Sequence, residues 1–337
     1  MKNAKVLSAL GLMSLASTAA LAASSGPTLG SVLDASGIKV SGAVAASFIQ
    51  NASVQGAQAQ STFQVDQALL SIAYQPKEGF GAVVDVASGD YSSQGGNVGS
   101  PGTSTELSQA FLQYKSGALT VQGGRFYTAA GYEVFPVAGN LFVTRSQTFG
   151  LESTYHTGAR ASYAVSDTLT VNAGVNTGIY DNLDNQYAVA KDKAFELGAT
   201  LSPSADLSLA LTAYQGKTGA GGVKQSLYSL VASYNLSKDI SLALNVDQGN
   251  YANTDSTKWT AIALYGSYAV NDKVKVGLRL EDINPKLSSA NGVGSVTGVV
   301  SYAAAKNFDL RTELSDVDVE GSTPRSMKGA VQGVLKF

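Results

Sequence analysis

Residues 268–281 read Tyr268-Ala269-Val270-Asn271-Asp272-Lys273-Val274-Lys275-Val276-Gly277-Leu278-Arg279-Leu280-Glu281. Two patterns meet here. From Val274 on, every second residue is apolar, and Lys, Gly, Arg and Glu fill the positions between. A period of 2 marks a strand with one apolar and one polar face. Before that run stand a Tyr and a short polar turn. The same sequence of events, an alternating run, a Tyr, then a short turn, recurs at Tyr74, Tyr114, Tyr163, Tyr234, Tyr268 and Tyr302. A seventh run ends on Phe337, the last residue, and the last four of these aromatics are 34, 34 and 35 residues apart. A ring of aromatics at one level is what a membrane–water interface selects.

A 34-residue period also fits helical repeats of the tetratricopeptide kind. The local period excludes them. Val40-x-Gly42-x-Val44-x-Ala46-x-Phe48, Leu169-x-Val171-x-Ala173-x-Val175 and Ile240-x-Leu242-x-Leu244-x-Val246 all alternate in twos. Sixteen strands are expected: 40–49, 62–75, 79–89, 106–115, 118–127, 153–164, 168–178, 193–201, 206–216, 224–235, 239–250, 257–269, 273–284, 293–303, 306–316 and 326–337. Their connections alternate between short turns, such as Ser116-Gly117 and Ala304-Ala305, and longer loops. That asymmetry, with an even strand number, is the pattern of an outer-membrane barrel whose short turns are periplasmic. Phe48, Tyr127, Tyr180, Tyr251 and Trp259 are expected to form a looser belt at the opposite ends. The expected fold is all-β: a transmembrane antiparallel up-and-down β-barrel of about sixteen strands, with a water-filled lumen and a long inward-folding loop after strand 5. A β-sandwich also alternates, but these strands are long for one and their apolar faces lack large core-filling residues.

Composition agrees. Charged residues are 14%, there is no Cys, and Gly (36) and Tyr (16) are abundant. Lys2 and Lys5, the apolar run Val6 to Leu15, and Ala20-Leu21-Ala22 read as a signal peptide cleaved near residue 22. The expected organisation is residues 1–22 as signal, 23–37 as a short periplasmic segment and 38–337 as the barrel. Without Lys2 and Lys5, 21 basic residues face 25 acidic ones, a net charge near −4. That excludes a nucleic-acid partner on electrostatic grounds. No Cys means no thiolate metal site and no Cys nucleophile.

Placing the girdle tyrosines on the lipid side fixes the parity of every strand. Leu112, Leu197, Leu230, Leu264, Val300 and Leu335 then face lipid. Asp85, Glu196, Asp247, Lys275, Arg279, Glu281, Arg311 and Glu313 face inward and are the candidate pore-lining residues. A charge facing the lipid midplane costs about 2–4 kcal/mol, so charges on the inner face imply a wet lumen. Arg125 breaks the parity and is expected to turn inward through a bulge at Gly123-Gly124. The longest connection, residues 128–152, is rich in apolar and aromatic residues, which suits packing on a wall better than exposure to solvent. Folded inward, it would set Glu133, Arg145 and Glu152 against Arg125 and Arg160, the candidate constriction residues. Opposed charges across a narrow pore create a transverse field that sorts solutes.

Val65-Asp66-Gln67-Ala68, Gly79-Phe80-Gly81 to Gly89-Asp90, Gly123-Gly124-Arg125-Phe126, Gly131-Tyr132-Glu133, Thr144-Arg145-Ser146 and His156-Thr157-Gly158-Ala159-Arg160 resemble, in order and spacing, the OmpL-like β-barrel porin family. The resemblance covers about residues 38–337. It implies a diffusion channel of the Gram-negative outer membrane, working in a lipid bilayer with lipopolysaccharide and passing small hydrophilic solutes or ions without a cofactor. The alternating C-terminal strand ending on Phe337 also looks like the signal read by the outer-membrane assembly machinery. A homotrimer is the assembly the class resemblance implies.

Rival readings carry less. The only His, His156, is expected to be a pore-lining or satisfied side chain, and no G-x-S-x-G or H-E-x-x-H occurs, so no catalytic residue or metal site is assigned. Asp181-Asn182-Leu183-Asp184-Asn185 reads as turn chemistry rather than a cation loop. A sugar-selective channel would use Tyr214, Trp259 and Tyr265 as stacking surfaces. A surface receptor or adhesin would need larger loops.

Overall fold

The computed structural model describes residues 33, 35–51, 60–89, 104–180, 193–218, 223–252, 254, 257–286, 291–321 and 326–337. Among them run sixteen strands: β1 (Ile38–Asn51), β2 (Gln60–Tyr74), β3 (Gly79–Gly89), β4 (Ser104–Ser116), β5 (Leu119–Tyr127), β6 (Tyr155–Ala164), β7 (Leu169–Asn176), β8 (Ala194–Leu201), β9 (Leu207–Thr218), β10 (Val223–Asn235), β11 (Ile240–Asn250), β12 (Lys258–Ala269), β13 (Val274–Pro285), β14 (Val293–Ala305), β15 (Phe308–Val319) and β16 (Ser326–Lys336). Each pairs antiparallel with the next, and β1 pairs with β16 to close a barrel. The closing register runs from Ala43 opposite Lys336 to Asn51 opposite Lys328. Phe337 N–H donates to Gly42 O at 3.0 Å and Gly42 N–H donates to Phe337 O at 2.8 Å. The last residue therefore seals the ring. Closure leaves no edge unpaired, which a sheet in hydrocarbon requires.

The two faces of the sheet are inverted relative to a soluble protein. The girdle tyrosines Tyr74, Tyr114, Tyr163, Tyr234, Tyr268 and Tyr302 are all 42–51% exposed, and Leu112 and Leu197 reach 70% and 65%. Asp247, Glu196, Arg279 and Glu313 are buried at 0–2%. Leaving a large apolar side chain in water forgoes about 1.5–3 kcal/mol, so a continuous band of them belongs in lipid. This excludes the sandwich, whose apolar faces would be covered.

Three ladders shift register. Asp66 is the extra residue between the Ala45 and Ala46 partners, and Ser108 between the partners of Asp85 and Val86; a third shift separates Ala303 and Ala305. The expected bulge at Gly123-Gly124 is absent: β5 pairs residue for residue with both β4 and β6 there. Gly124 instead adopts φ +134°, and a Cβ on it would lie 2.3 Å from Ala110 O. The two glycines serve close backbone approach rather than an inserted residue. No helix among the described residues is long and apolar enough to cross a membrane.

Candidate functional site

Residues 128–152 join β5 to β6 with only two short 3₁₀ turns, Val137–Gly139 and Phe149–Leu151. A segment with so little internal hydrogen bonding must satisfy its backbone elsewhere. Inner-face side chains do this. Ala129 N–H donates to Tyr214 Oη (3.1 Å) and Thr212 Oγ1 donates to Ala129 O (3.0 Å) on β9. Gly131 N–H donates to Ser229 Oγ (2.9 Å) on β10. Gln67 on β2 holds both sides of the chain, donating to Phe135 O (3.3 Å) and accepting from Val137 N–H (2.9 Å). Glu313 on β15 accepts from Val143 N–H (2.6 Å) and Thr144 Oγ1 (2.5 Å), and Glu281 on β13 accepts from Thr148 N–H (3.1 Å). Apolar contacts fill the gaps: Phe142 with Ala263, Tyr265 and Val299, Val137 with Ala45 and Val334, and Val143 with Ile49 and Ala330.

Arg279 on β13 is the hub of the charged contacts. It is 2% exposed. Its Nη1 lies 2.8 Å from Glu133 Oε1 and its Nε 3.1 Å from Glu281 Oε2. It also donates to Thr144 O (2.9 Å) and Arg145 O (3.2 Å). Ordinary contact distances at Gly277, two residues earlier, depend on the missing side chain: a Cβ there would lie 2.6 Å from Leu141 Cδ2. Gly in this strand marks a close approach by another chain segment.

The candidate constriction residues are partly brought together. Glu133 accepts from Ser146 N–H (2.9 Å) beside Arg145 and pairs with Arg279. Arg145 is buried, donates to Phe135 O (2.5 Å) and stacks 4.7 Å over Phe149. Burial pulls its guanidinium down to about 10, against the opposing pull of Glu133. Arg125 and Arg160 lie with other partners. Arg125 stacks on Tyr155 and lies 4.0 Å from Glu106. Arg160 grips Glu196 through Nε (2.5 Å) and Nη2 (2.9 Å), and Asn172 donates to the same carboxylate. In place of contacts between Glu133/Glu152 and Arg125/Arg160, Glu133 pairs directly with Arg279 and Arg160 with Glu196, while Glu152 meets Asn245 on β11. Of the candidate lining residues, Lys275 is exposed, while Asp85, Glu196, Asp247, Arg279, Glu281, Arg311 and Glu313 are buried. Asp85 accepts from Gln109 (2.8 Å) and Arg311 donates to Gln332 (3.2 Å).

Glu152 closes the segment against β11. Asn245 Nδ2 donates to Glu152 Oε1 (2.8 Å) and to Asp247 Oδ2 (3.1 Å). Burial first, and then the adjacent Asp247, push the Glu152 carboxyl well above the usual carboxylate range. A raised folded-state pKa favours the protonated form. Docking of this end is strongest at low pH and weakens as pH rises through the raised value. Trp259, the only Trp of the chain, packs in the same cluster as Leu151. Its emission is expected to shift red as pH rises above the ordinary carboxylate range, and Glu152→Gln is expected to abolish that shift. The same titration in both proteins would contradict this role of Glu152.

Several side chains differ from the sequence reading. Tyr214, Trp259 and Tyr265 are 0%, 3% and 6% exposed. They pack under the 128–152 segment, Tyr265 against Tyr132 at 4.4 Å, and offer no face to a sugar ring. Trp259 and Tyr127 also leave the expected outer belt, since Trp259 is buried and Tyr127 stacks on Phe135 at 5.4 Å. His156 is a satisfied side chain. Its ring stacks on Tyr214, Nε2 lies 3.1 Å from Ser153 Oγ, and both residues are 2% exposed, so the pair is closed to a substrate. Residues 181–185 and the signal region 1–22 lie outside the described residues. Asp66 and Gln67, part of the Val65–Ala68 motif, and Gln332 were given no site role by sequence, yet Gln332 Nε2 donates to Asp66 Oδ2 (2.9 Å) and Ser47 Oγ donates to Asp66 Oδ1 (2.7 Å). Inward parity was the available signal for Gln67 and Gln332; Asp66 has the outward parity of Tyr74, and the register shift that makes it the extra residue turns it inward. Below the segment, toward the short turns, opens a vestibule of about 880 Å³ lined by Lys238, Asp239, Lys273, Lys275, Asp309 and Arg311.

A family model described as "Putative beta-barrel porin-2, OmpL-like" matches residues 37–333. The chain belongs to this porin family. Its barrel is similar to solved outer-membrane channels. Pseudomonas putida OprB at high pH superposes with a TM-score of 0.70 at 13% identity, over 91% of this chain and 96% of that one. The anion-selective porin of Comamonas acidovorans gives 0.63 at 13%, over 89% and 99%. Vibrio cholerae OmpT in its trimer form gives 0.63 at 14%, over 89% and 99%. No curated protein sequence matches significantly. The family and the shared fold place this porin in the outer membrane and point to a channel rather than an enzyme.

Proposed function

We propose that the protein is a passive, water-filled channel for small hydrophilic solutes, with residues 128–152 folded into the lumen as its constriction. One observation carries the reading. The segment is tied by hydrogen bonds to Gln67 on β2 and to Ser229 on β10. In a ring of sixteen strands closed in sequence order, β2 and β10 are on opposite walls. A segment fastened to both walls crosses the space between them. Sixteen strands otherwise enclose an aqueous channel. Ion pairs along the wall hold the crossing in place, and the mixed charge of the vestibule suits polar solutes of either sign. Trimeric assembly belongs to the same proposal, supported by the trimer form of V. cholerae OmpT. Purified protein in a planar bilayer is expected to give discrete, ohmic conductance steps. Silence at high protein loading would overturn the channel reading.

A further inference from the structure

On the lipid-facing parity, charges gather at the loop ends: β13 and β15 carry Asp282, Asp316 and Asp318, whereas β8 to β12 carry four of the opposite sign. Lys193 continues the exposed row Phe195–Leu197, Lys217 the row Leu211–Gln215, and Lys224 the row Tyr228–Leu230; Lys258 continues Ile262–Leu264. Backbone pairing sets them side by side. Lys224 is directly opposite Lys217, Lys217 N–H donates to Lys193 O (3.2 Å), and Lys258 is opposite Asn250. Together they line one open groove of about 790 Å³ with Gln215, Tyr228 and Gln248, and no acidic residue lines it among the described residues. Two like charges directly across a ladder repel. An anion between them turns that repulsion into attraction.

The level of the groove identifies the anion. Lys224 stands ten residues from the girdle Tyr234, and Lys258 ten residues from Tyr268. Ten residues span about 33 Å along a strand, and a tilt of roughly 40° reduces this to about 25 Å, the height of the apolar band. The tyrosines mark the short-turn interface, so the lysines lie at the opposite interface, where headgroups begin. Phe195, 61% exposed, and Tyr228, whose hydroxyl meets the Gln215 side-chain amide, sit just below them toward the apolar band.

We infer that Lys193, Lys217, Lys224 and Lys258 form a binding site on the outer wall for the phosphate groups of an outer-leaflet glycolipid, lipopolysaccharide. The inference rests on the outer-membrane orientation above, with the short turns periplasmic. Lysines act here as point charges on phosphate, and the apolar surface below receives acyl chains.

The test uses the full-length barrel in detergent, titrated with bisphosphorylated lipid A and followed by native mass spectrometry. One lipid A is expected to bind saturably per barrel. Lys217→Gln with Lys224→Gln is expected to weaken binding roughly 30-fold, from about 5-fold per surface lysine. Dephosphorylated lipid A is expected to bind no better to the parent than to the variant. Inorganic phosphate at equal concentration is expected not to displace lipid A. Equal lipid A affinity in parent and variant, or displacement by phosphate alone, would overturn the lipid site. Bilayer conductance of the variant is expected to match the parent, which separates failure of this site from failure of the channel reading.

Discussion

Deletion of residues 132–148 is expected to raise single-channel conductance several-fold. Gly131 and Phe149 then flank the junction. The barrel itself keeps all sixteen strands, because its closure depends on the backbone ladder and on the Phe337–Gly42 pair rather than on this segment. What is removed is the proposed bridge between opposite walls, together with Val137, Phe142 and Val143, which fill space against β1, β11, β12, β14 and β16, and Phe135, which packs on Tyr127 of β5. The inner-face partners left behind, Glu313, Glu281, Arg279 and Gln67, become accessible to water, so the exposed charges are solvated rather than stranded. Water replaces packed side chains, and the conducting cross-section approaches that of the bare ring. An unchanged conductance would assign the segment to the outside of the pore.

Arg279→Ala is expected to release the segment without deleting it. Arg279 neutralises Glu133 on the segment and Glu281 on the wall, at 2.8 Å and 3.1 Å. Removing one partner of a buried ion pair costs about 3–5 kcal/mol, because the remaining charges stay buried and unpaired. The other contacts of residues 143–148 include the hydrogen bonds of Val143 and Thr144 to Glu313 and of Thr148 to Glu281, at about 0.5–1.5 kcal/mol each, and the packing of Val143 on Ile49 and Ala330, so the loss is comparable to all that these supply. The expected result is rapid protease cleavage within residues 133–148 of the folded barrel, with conductance fluctuating toward the level of the deletion. The triple variant Arg279→Met, Glu133→Gln, Glu281→Gln removes the stranded charges and is expected to regain most of the protease resistance. If Arg279→Ala is as resistant as the parent, the hub does not hold the segment.

The fold was legible because two independent periods coincide. Alternation in twos gave each strand its faces, and the tyrosines gave each strand its level. Both come from lipid acting as solvent on one side only, so they are written locally in every strand. The inward parity of Glu313, Glu281 and Asp247 followed from the same rule. Their partners did not, since contacts such as Glu313 with Val143 span 170 residues and leave no periodic trace. Charge alone suggested that Glu133 and Glu152 would face Arg125 and Arg160. The structure pairs Glu133 with Arg279 and Arg160 with Glu196, because neutralising a buried charge at hydrogen-bond distance outweighs attraction across an open gap. The bulge expected to turn Arg125 inward is absent for a different reason: a Gly-Gly pair signals either a bulge or a close backbone contact, and sequence does not distinguish them.

The most direct test is single-channel conductance of the intact protein in the presence of neutral polymers graded in size. A lumen narrowed by residues 128–152 predicts ohmic channels whose conductance falls only with the smallest polymers, while larger ones stay outside and leave it unchanged. Entry of polymers as large as those admitted by the 132–148 deletion, or the absence of any conductance, would contradict the account.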